Sequence, residues 1–150
     1  CPVDFFPASM RAFDYALKLA KDNKATVHVL HVVSPVMPAA YDFPINISEL
    51  VASLEKESRR QLQKLRLKAE KESVPVETSV RVGDIDVEIL SAATKCRADL
   101  VVMGTHGRRG VERWFMGSVA ERMMRRCPMP LLSVPPAARK TAKRPGRMTR

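Results

Sequence analysis

The sequence predicts an α/β protein: a five-stranded parallel sheet, open at its edges, with helices on both faces. Three observations predict it. Apolar periodicity alternates between strand-like and helix-like along the body of the chain. One run, ATVHVLHVV (25–33), is almost continuously β-forming, as a strand covered on both faces requires. Helical segments separate every pair of strands, which calls for right-handed crossovers and parallel pairing. The chain has 150 residues, enough for one domain with a sizeable core.

The elements follow in order. Cys1–Asp4 reads as the end of a first strand, so the numbering is expected to open inside that strand, with residues, and any targeting segment, preceding Cys1. From Ala8 to Lys21, Ala12, Phe13, Ala16, Leu17, Leu19 and Ala20 form an apolar stripe at helical spacing. Asp22-Asn23-Lys24 breaks that helix, and Ala25–Val33 is the second strand. Ser34–Pro44 carries Pro35, Pro38 and Pro44 and reads as a loop. A long helix is expected from Ile47 to Glu72, its stripe passing through Leu50, Val51, Leu54, Leu62, Leu65 and Ala69, its polar middle (Glu55–Gln61) projecting from the body. Val76–Val82 is the third strand, turned by Gly83-Asp84, and Val87–Lys95 the third helix. Asp99–Met103 is a short buried strand, Ser118–Arg126 the fourth helix with Val119, Ala120, Met123 and Met124 inward, and Pro130–Val134 the last strand.

Charge is unevenly spread. The formal net charge is +10, yet the last fourteen residues, AARKTAKRPGRMTR, hold six basic groups and no acid; taking those away leaves +4. The tail lacks apolar period and reads as disordered, so the domain is placed at 1–136 and the basic tail at 137–150. Such a tail is capable of meeting nucleic acid or anionic lipid, but a solvated tail is the preferred reading, and nucleic acid is not the expected partner. No apolar run approaches the ~20 residues of a membrane helix, and no secretory-signal pattern stands at the start. The three cysteines, Cys1, Cys96 and Cys127, are scattered without a C-x-x-C pair. That argues against a disulfide framework or a zinc site and for a reducing, cytoplasmic setting.

The stretch with the most chemistry leaves the fourth strand as GTHGRRGVERWFMGS (104–118) and enters the fourth helix. Glycines at 104, 107, 110 and 117 let backbone amides approach a ligand, and successive amides there form an anion-binding concavity. The helix starting at Ser118 adds unbonded N–H groups and the positive end of its dipole. Arg108 and Arg109 add charge. Each part has a plainer explanation: a floppy connection, a Ser118-x-x-Glu121 capping box, solvated arginines, and Trp114 and Phe115 as core or dimer contacts. Together, between strand and helix, they point to a phosphate. The pattern is neither a Walker loop nor G-x-G-x-x-G; it reads G-x-x-G, nine residues, then G-S.

In this pattern, and from PVDFFPAS near the start to PMPLLSV at the end, the chain resembles the universal stress protein family, in its nucleotide-binding branch. The resemblance implies a Rossmann-like parallel sheet of strand order 3-2-1-4-5 and a stress-response module that binds ATP, with Mg²⁺ as a companion ion. It further implies that Asp4 contacts the ribose and adenosine region, that Pro2 and Val3 line the adenine side, and that Val32 or Val33 meets the adenine. Gly104 would approach the ribose, and Gly107, Gly117 and Ser118 would hold the phosphates with His106 and Arg108 nearby. A homodimer through the last strand, Leu131 to Val134, is implied as well. A crevice at the carboxyl ends of the first and fourth strands, where strand order reverses, agrees with this placement. Phe6 stands where the family more often has a small polar residue, and the basic tail lies outside the family pattern.

Other residues carry less. His28 and His31 are three apart on a strand and point to opposite faces, so they cannot share a metal. No nucleophile elbow, paired carboxylates or Cys–His pair suggests catalysis, so hydrolysis is expected to be slow or absent. A slow ATPase or nucleotidyl transferase in the same crevice, and a scaffold acting through the basic tail, are the alternatives.

Overall fold

The computed structural model describes residues 1–34, 46–105 and 117–136. The expected proline loop, the tail, and the loop residues His106, Gly107, Arg108, Arg109, Gly110, Trp114 and Phe115 lie outside the described residues.

The elements run α1 (Pro7–Asn23), β1 (Val27–Val33), α2 (Ile47–Lys71), β2 (Val76–Val82), α3 (Ile85–Lys95), β3 (Val101–Gly104), α4 (Ser118–Arg126) and β4 (Leu131–Val134). β1 pairs in parallel with β2 from Val27↔Val76 to Val33↔Val82, and β3 with β4 from Val101↔Leu131 to Gly104↔Val134. The first segment is a parallel bridge, not a full strand: Pro2 faces Leu30, with Val3 N–H donating to Leu30 O at 2.8 Å and Leu30 N–H to Cys1 O at 3.0 Å. It lies on the side of β1 away from β2. Among the described residues the pairing is thus two parallel pairs and a bridge; the expected five-stranded order goes beyond that pairing.

Burial shows that β1 and β3 are packed on both faces, whereas no residue of β2 is buried. Val29, Val3, Val102 and Val134 pack with Phe13 and Leu17 of α1 and with Leu62, Leu65 and Ala69 of α2. Their strand neighbours Leu30, Val101 and Met103 pack with Ile89 and Ala93 of α3 and with Ala120 and Met123 of α4. Alternate residues thus meet different helix pairs, as the period of two demands. Fully burying a side chain such as Phe13 or Leu17 contributes about 2 kcal/mol each.

Several expectations about faces are corrected. The polar middle of α2 does not simply project: Ser58 is buried, its hydroxyl donating to Leu54 O at 2.7 Å, whereas Leu50 and Leu54 are exposed. α2 reaches the strands through its C-terminal half, and its N-terminal half runs past them. Met124 of α4 is exposed, and Asp99 and Leu100 precede β3 and are exposed. α3 starts two residues earlier than its apolar spacing suggests, at Ile85, with Asp84 at the cap position and no side-chain capping bond. The helix of α4 is capped by Gly117 and not by Ser118, which is its first helical residue. Among the described residues no helix is long and apolar enough to cross a membrane.

Two contacts hold the layers in place. At Gly104 the end of β3 meets the first turn of α1 so closely that a Cβ would sit 2.7 Å from Ala8 C and 2.8 Å from Ser9 N. Both are backbone atoms, which cannot swing aside. The second contact joins α3 to α4. Asp86, almost fully buried, accepts from Arg122 Nε on one oxygen and from Arg126 Nη1 on the other, both at 2.8 Å. Burial by itself would raise the Asp86 pKa; hydrogen bonds led by Arg122 outweigh it and hold the carboxyl below the ordinary carboxylate range.

Gly104→Ala is expected to lower the unfolding free energy by about 1–3 kcal/mol, read as a drop in urea midpoint at unchanged slope. For Asp86 the folded pKa lies below the unfolded one, so its contribution is complete above the carboxylate range and is lost as pH falls through the lowered value. Asp86→Asn should therefore cost about 1–3 kcal/mol at neutral pH. Urea titrations at stepped pH should show the gap to wild type closing below about pH 4.

Candidate functional site

The chain leaves its first bridge at Val3 and must turn at once into α1. Asp4 makes the turn: its Oδ1 accepts from Phe6 N–H at 3.1 Å and from Ser9 Oγ at 2.5 Å, while Asp4 N–H donates to Ser9 Oγ at 3.1 Å. Phe6 is the N-cap residue of α1 and Pro7 follows in the first turn, where its missing N–H costs nothing. Between Asp4 and Phe6, Phe5 adopts φ 64°, a left-handed conformation uncommon for an aromatic residue. Both hydrogen bonds that the Asp4 carboxylate accepts fall on Oδ1, so Oδ2 has no hydrogen-bond partner among the described residues.

Across from this turn, β3 ends at Gly104 and Thr105, whose N–H donates to Val134 O at 3.1 Å. The chain returns at Gly117, whose N–H donates to Thr105 O at 2.8 Å. The first intrahelical bond of α4 then runs from Glu121 N–H to Gly117 O at 3.0 Å. The N–H groups of Ser118, Val119 and Ala120 precede that bond, and no side chain among the described residues caps them. They stand at the positive end of the helix dipole.

These ends frame a cleft of about 900 Å³. Every described candidate residue lines it: Pro2, Val3 and Asp4; Val32 and Val33; Gly104; Gly117 and Ser118. Val3 and Val33 are buried, whereas Asp4, Val32, Gly104 and Gly117 are half-buried. His106, Gly107 and Arg108 lie outside the described residues. Three parts of the cleft had no signal in the local pattern. His31, read only as a poor metal ligand, lines it from β1. Leu54, Glu57, Ser58 and Gln61 form a wall from α2, and Ile85 and Ile89 contribute from α3. The Ser9 hydroxyl, which orients Asp4, is the third. An i, i+3, i+4, i+7 count on α2 (54, 57, 58, 61) would have marked one face, but its mixed polarity hid it.

The electrostatics are those of a site with acceptors at one end and amide donors at the other. Among the described residues the cleft is lined by two carboxylates, Asp4 and Glu57, and by no Lys or Arg. Glu57 is tied to Arg60 at 2.9 Å, and that hydrogen bond holds its carboxyl below the ordinary range. Among the described residues no group of three or more His, Cys, Asp or Glu side chains is placed to hold a metal ion.

Residues 1–135 match the universal stress protein family. The chain belongs to that family. Universal stress protein MJ0531 of Methanocaldococcus jannaschii is 38% identical over 137 residues, which cover 89% of this chain and 78% of that relative. Among solved universal stress protein folds, the M. jannaschii protein MJ0577 superposes with a TM-score of 0.78 at 23% identity, over 91% of this chain and 93% of its own. An Arabidopsis thaliana universal stress protein family protein, solved with AMP bound, superposes with a TM-score of 0.61 at 22% identity, over 91% and 84%. The α/β fold with helices on both faces is therefore the universal stress protein fold.

Ser9→Ala removes the hydroxyl that joins Asp4 to α1 and leaves Asp4 N–H without its acceptor. It is expected to lower unfolding free energy by about 1–2 kcal/mol, measured by urea denaturation.

Proposed function

We propose that this universal stress protein binds an adenine nucleotide, ATP in its physiological form, in the cleft between Asp4 and the start of α4, and acts as a regulatory, cytoplasmic stress-response module. The observation that carries this reading is the meeting, in one cleft, of a carboxylate with an unpartnered oxygen and an uncapped helix N-terminus. A nucleotide has the matching polarity: hydroxyl and amine donors on the sugar and base, anionic oxygens on the phosphates. Asp4 Oδ2 is suited to the ribose hydroxyls, and the amides of Ser118, Val119 and Ala120 to phosphate oxygens. Gly117 carries no side chain at the mouth of these amides, which lets a phosphate come close. The AMP bound to the Arabidopsis relative supports the same ligand class.

The finer points of the reading follow. Pro2, Val3, Val32 and Val33 provide apolar surface for adenine, and Gly104 a bare backbone beside the ribose. His106, Gly107 and Arg108 complete the phosphate end. Mg²⁺ would enter on the nucleotide's own phosphates, because the cleft's two carboxylates do not make a metal cage by themselves. The nucleotide serves as a signal and turns over slowly. The two strand pairs with the Cys1–Asp4 segment between them make a sheet of order 3-2-1-4-5. Two copies join along β4, where Leu132 is exposed.

Gly117→Val combined with Ser118→Ala should abolish ATP binding in a calorimetric titration while the variant keeps its far-UV circular dichroism. Unchanged ATP affinity in that variant would place the phosphates elsewhere and end this reading.

A further inference from the structure

Among the described residues of the cleft wall, His31, like Asp4, has hydrogen bonding that is only half accounted for. It lies near the end of β1, 9% exposed, with Nδ1 2.7 Å from Val3 O. A carbonyl oxygen only accepts, so Nδ1 carries the hydrogen, and in the neutral ring Nε2 is then a bare acceptor. No residue among those described donates to Nε2; the buried side-chain atom left without a partner among the described residues is Ser133 Oγ, so Nε2 stays open to solvent in the cleft that His31 lines. The ring cannot turn away. Phe5 packs against it with centroids 4.6 Å apart and planes at 32°, and the left-handed backbone of Phe5 is what brings that ring there. His28, by contrast, is accounted for: it sits on the outer side of the strand, 3.1 Å from Glu77.

We propose that His31 Nε2 accepts a hydrogen bond from the bound nucleotide and so helps to select which nucleotide the cleft takes. The inference rests on the nucleotide reading above. The donor is an N–H or O–H of the ligand, either the exocyclic amine of the base or a ribose hydroxyl. Asp4 Oδ2 and His31 Nε2 are then two acceptors joined through Val3: Val3 N–H is held by Leu30 O, its carbonyl by His31, and Asp4 follows directly. A ligand that covers Nε2 without offering a donor takes the acceptor from water and leaves it unpaired, which is the kind of contact that discriminates between close analogues.

The experiment is a set of titrations with ATP, ITP and 2′-deoxy-ATP on the full chain. Wild type should bind ATP roughly tenfold more tightly than one of the two analogues. Weak ITP identifies the base amine as the donor, and weak 2′-deoxy-ATP the ribose. His31→Asn keeps an N–H near Val3 O but has no atom at the Nε2 position, so it should lose that preference and roughly tenfold in ATP affinity. His31→Gln, which can set an amide oxygen near the Nε2 position, should restore most of the preference. A role confined to holding Val3 would instead spare the Asn variant. Should these variants fail to fold, the wild-type imidazole nitrogens settle the matter by NMR: ATP should shift Nε2 and leave Nδ1 in place. Wild type that binds ATP with no preference, an Asn variant equal to wild type, or an unmoved Nε2 overturns this inference alone. Wild type that binds no nucleotide overturns the nucleotide reading with it.

Discussion

The cleft depends on how near β3 can come to α1. Backbone meets backbone at Gly104, with Ala8 and Ser9 so close that no side chain fits between. That approach sets Thr105 and the returning Gly117 opposite the Asp4 turn, and it brings the uncapped amides of α4 to the same opening as the carboxylate. Were β3 to stand off by the width of a methyl group, the acceptor end and the donor end would part. Close packing in a protein interior transmits such a shift because there is little void to absorb it.

The second constraint is conformational. A strand that must become a helix within three residues has no room for a relaxed loop. The side chain of Asp4 bonds Phe6 N–H, Ser9 bonds back to Asp4, and Phe5 accepts a left-handed backbone between them. Strain of this kind persists only where neighbours over-determine it. Here those neighbours are the Asp4–Ser9 network on one side and the His31 ring on the other, so the same residues that hold the turn also wall the cleft.

Charge is arranged to leave the cleft polar without a described cation. The strongest buried ion pairing lies elsewhere, where Asp86 ties Arg122 and Arg126 of α4 to α3 and so braces the helix whose N-terminus faces the cleft. Acidic and basic groups of α2 pair with one another, Glu55 with Arg59 and Glu57 of the cleft wall with Arg60. Exposed pairs of this kind contribute little to stability, and their effect is to keep α2 soluble where it runs past the sheet.

What the sequence determined by itself is what local periodicity encodes. β2 and α4 stand where their spacing put them, α1 and α2 begin or end within two residues of it, and the glycines at 104 and 117 mark the two sides of the cleft because a bare backbone has a chemical reason to be there. The tertiary structure decided the rest. Ser58 is buried while Leu54 is exposed, because the strands end beneath the middle of α2 and hydropathy cannot know where they end. Asp86 reads as an ordinary first-turn acid until Arg122 and Arg126 arrive from 36 and 40 residues away. His31 reads as one of two strand histidines until Val3 and Phe5, from the opposite end of α1, take one nitrogen and one ring face. Each of these depends on contacts between distant segments, and a periodic pattern carries no information about which distant segment a face will meet.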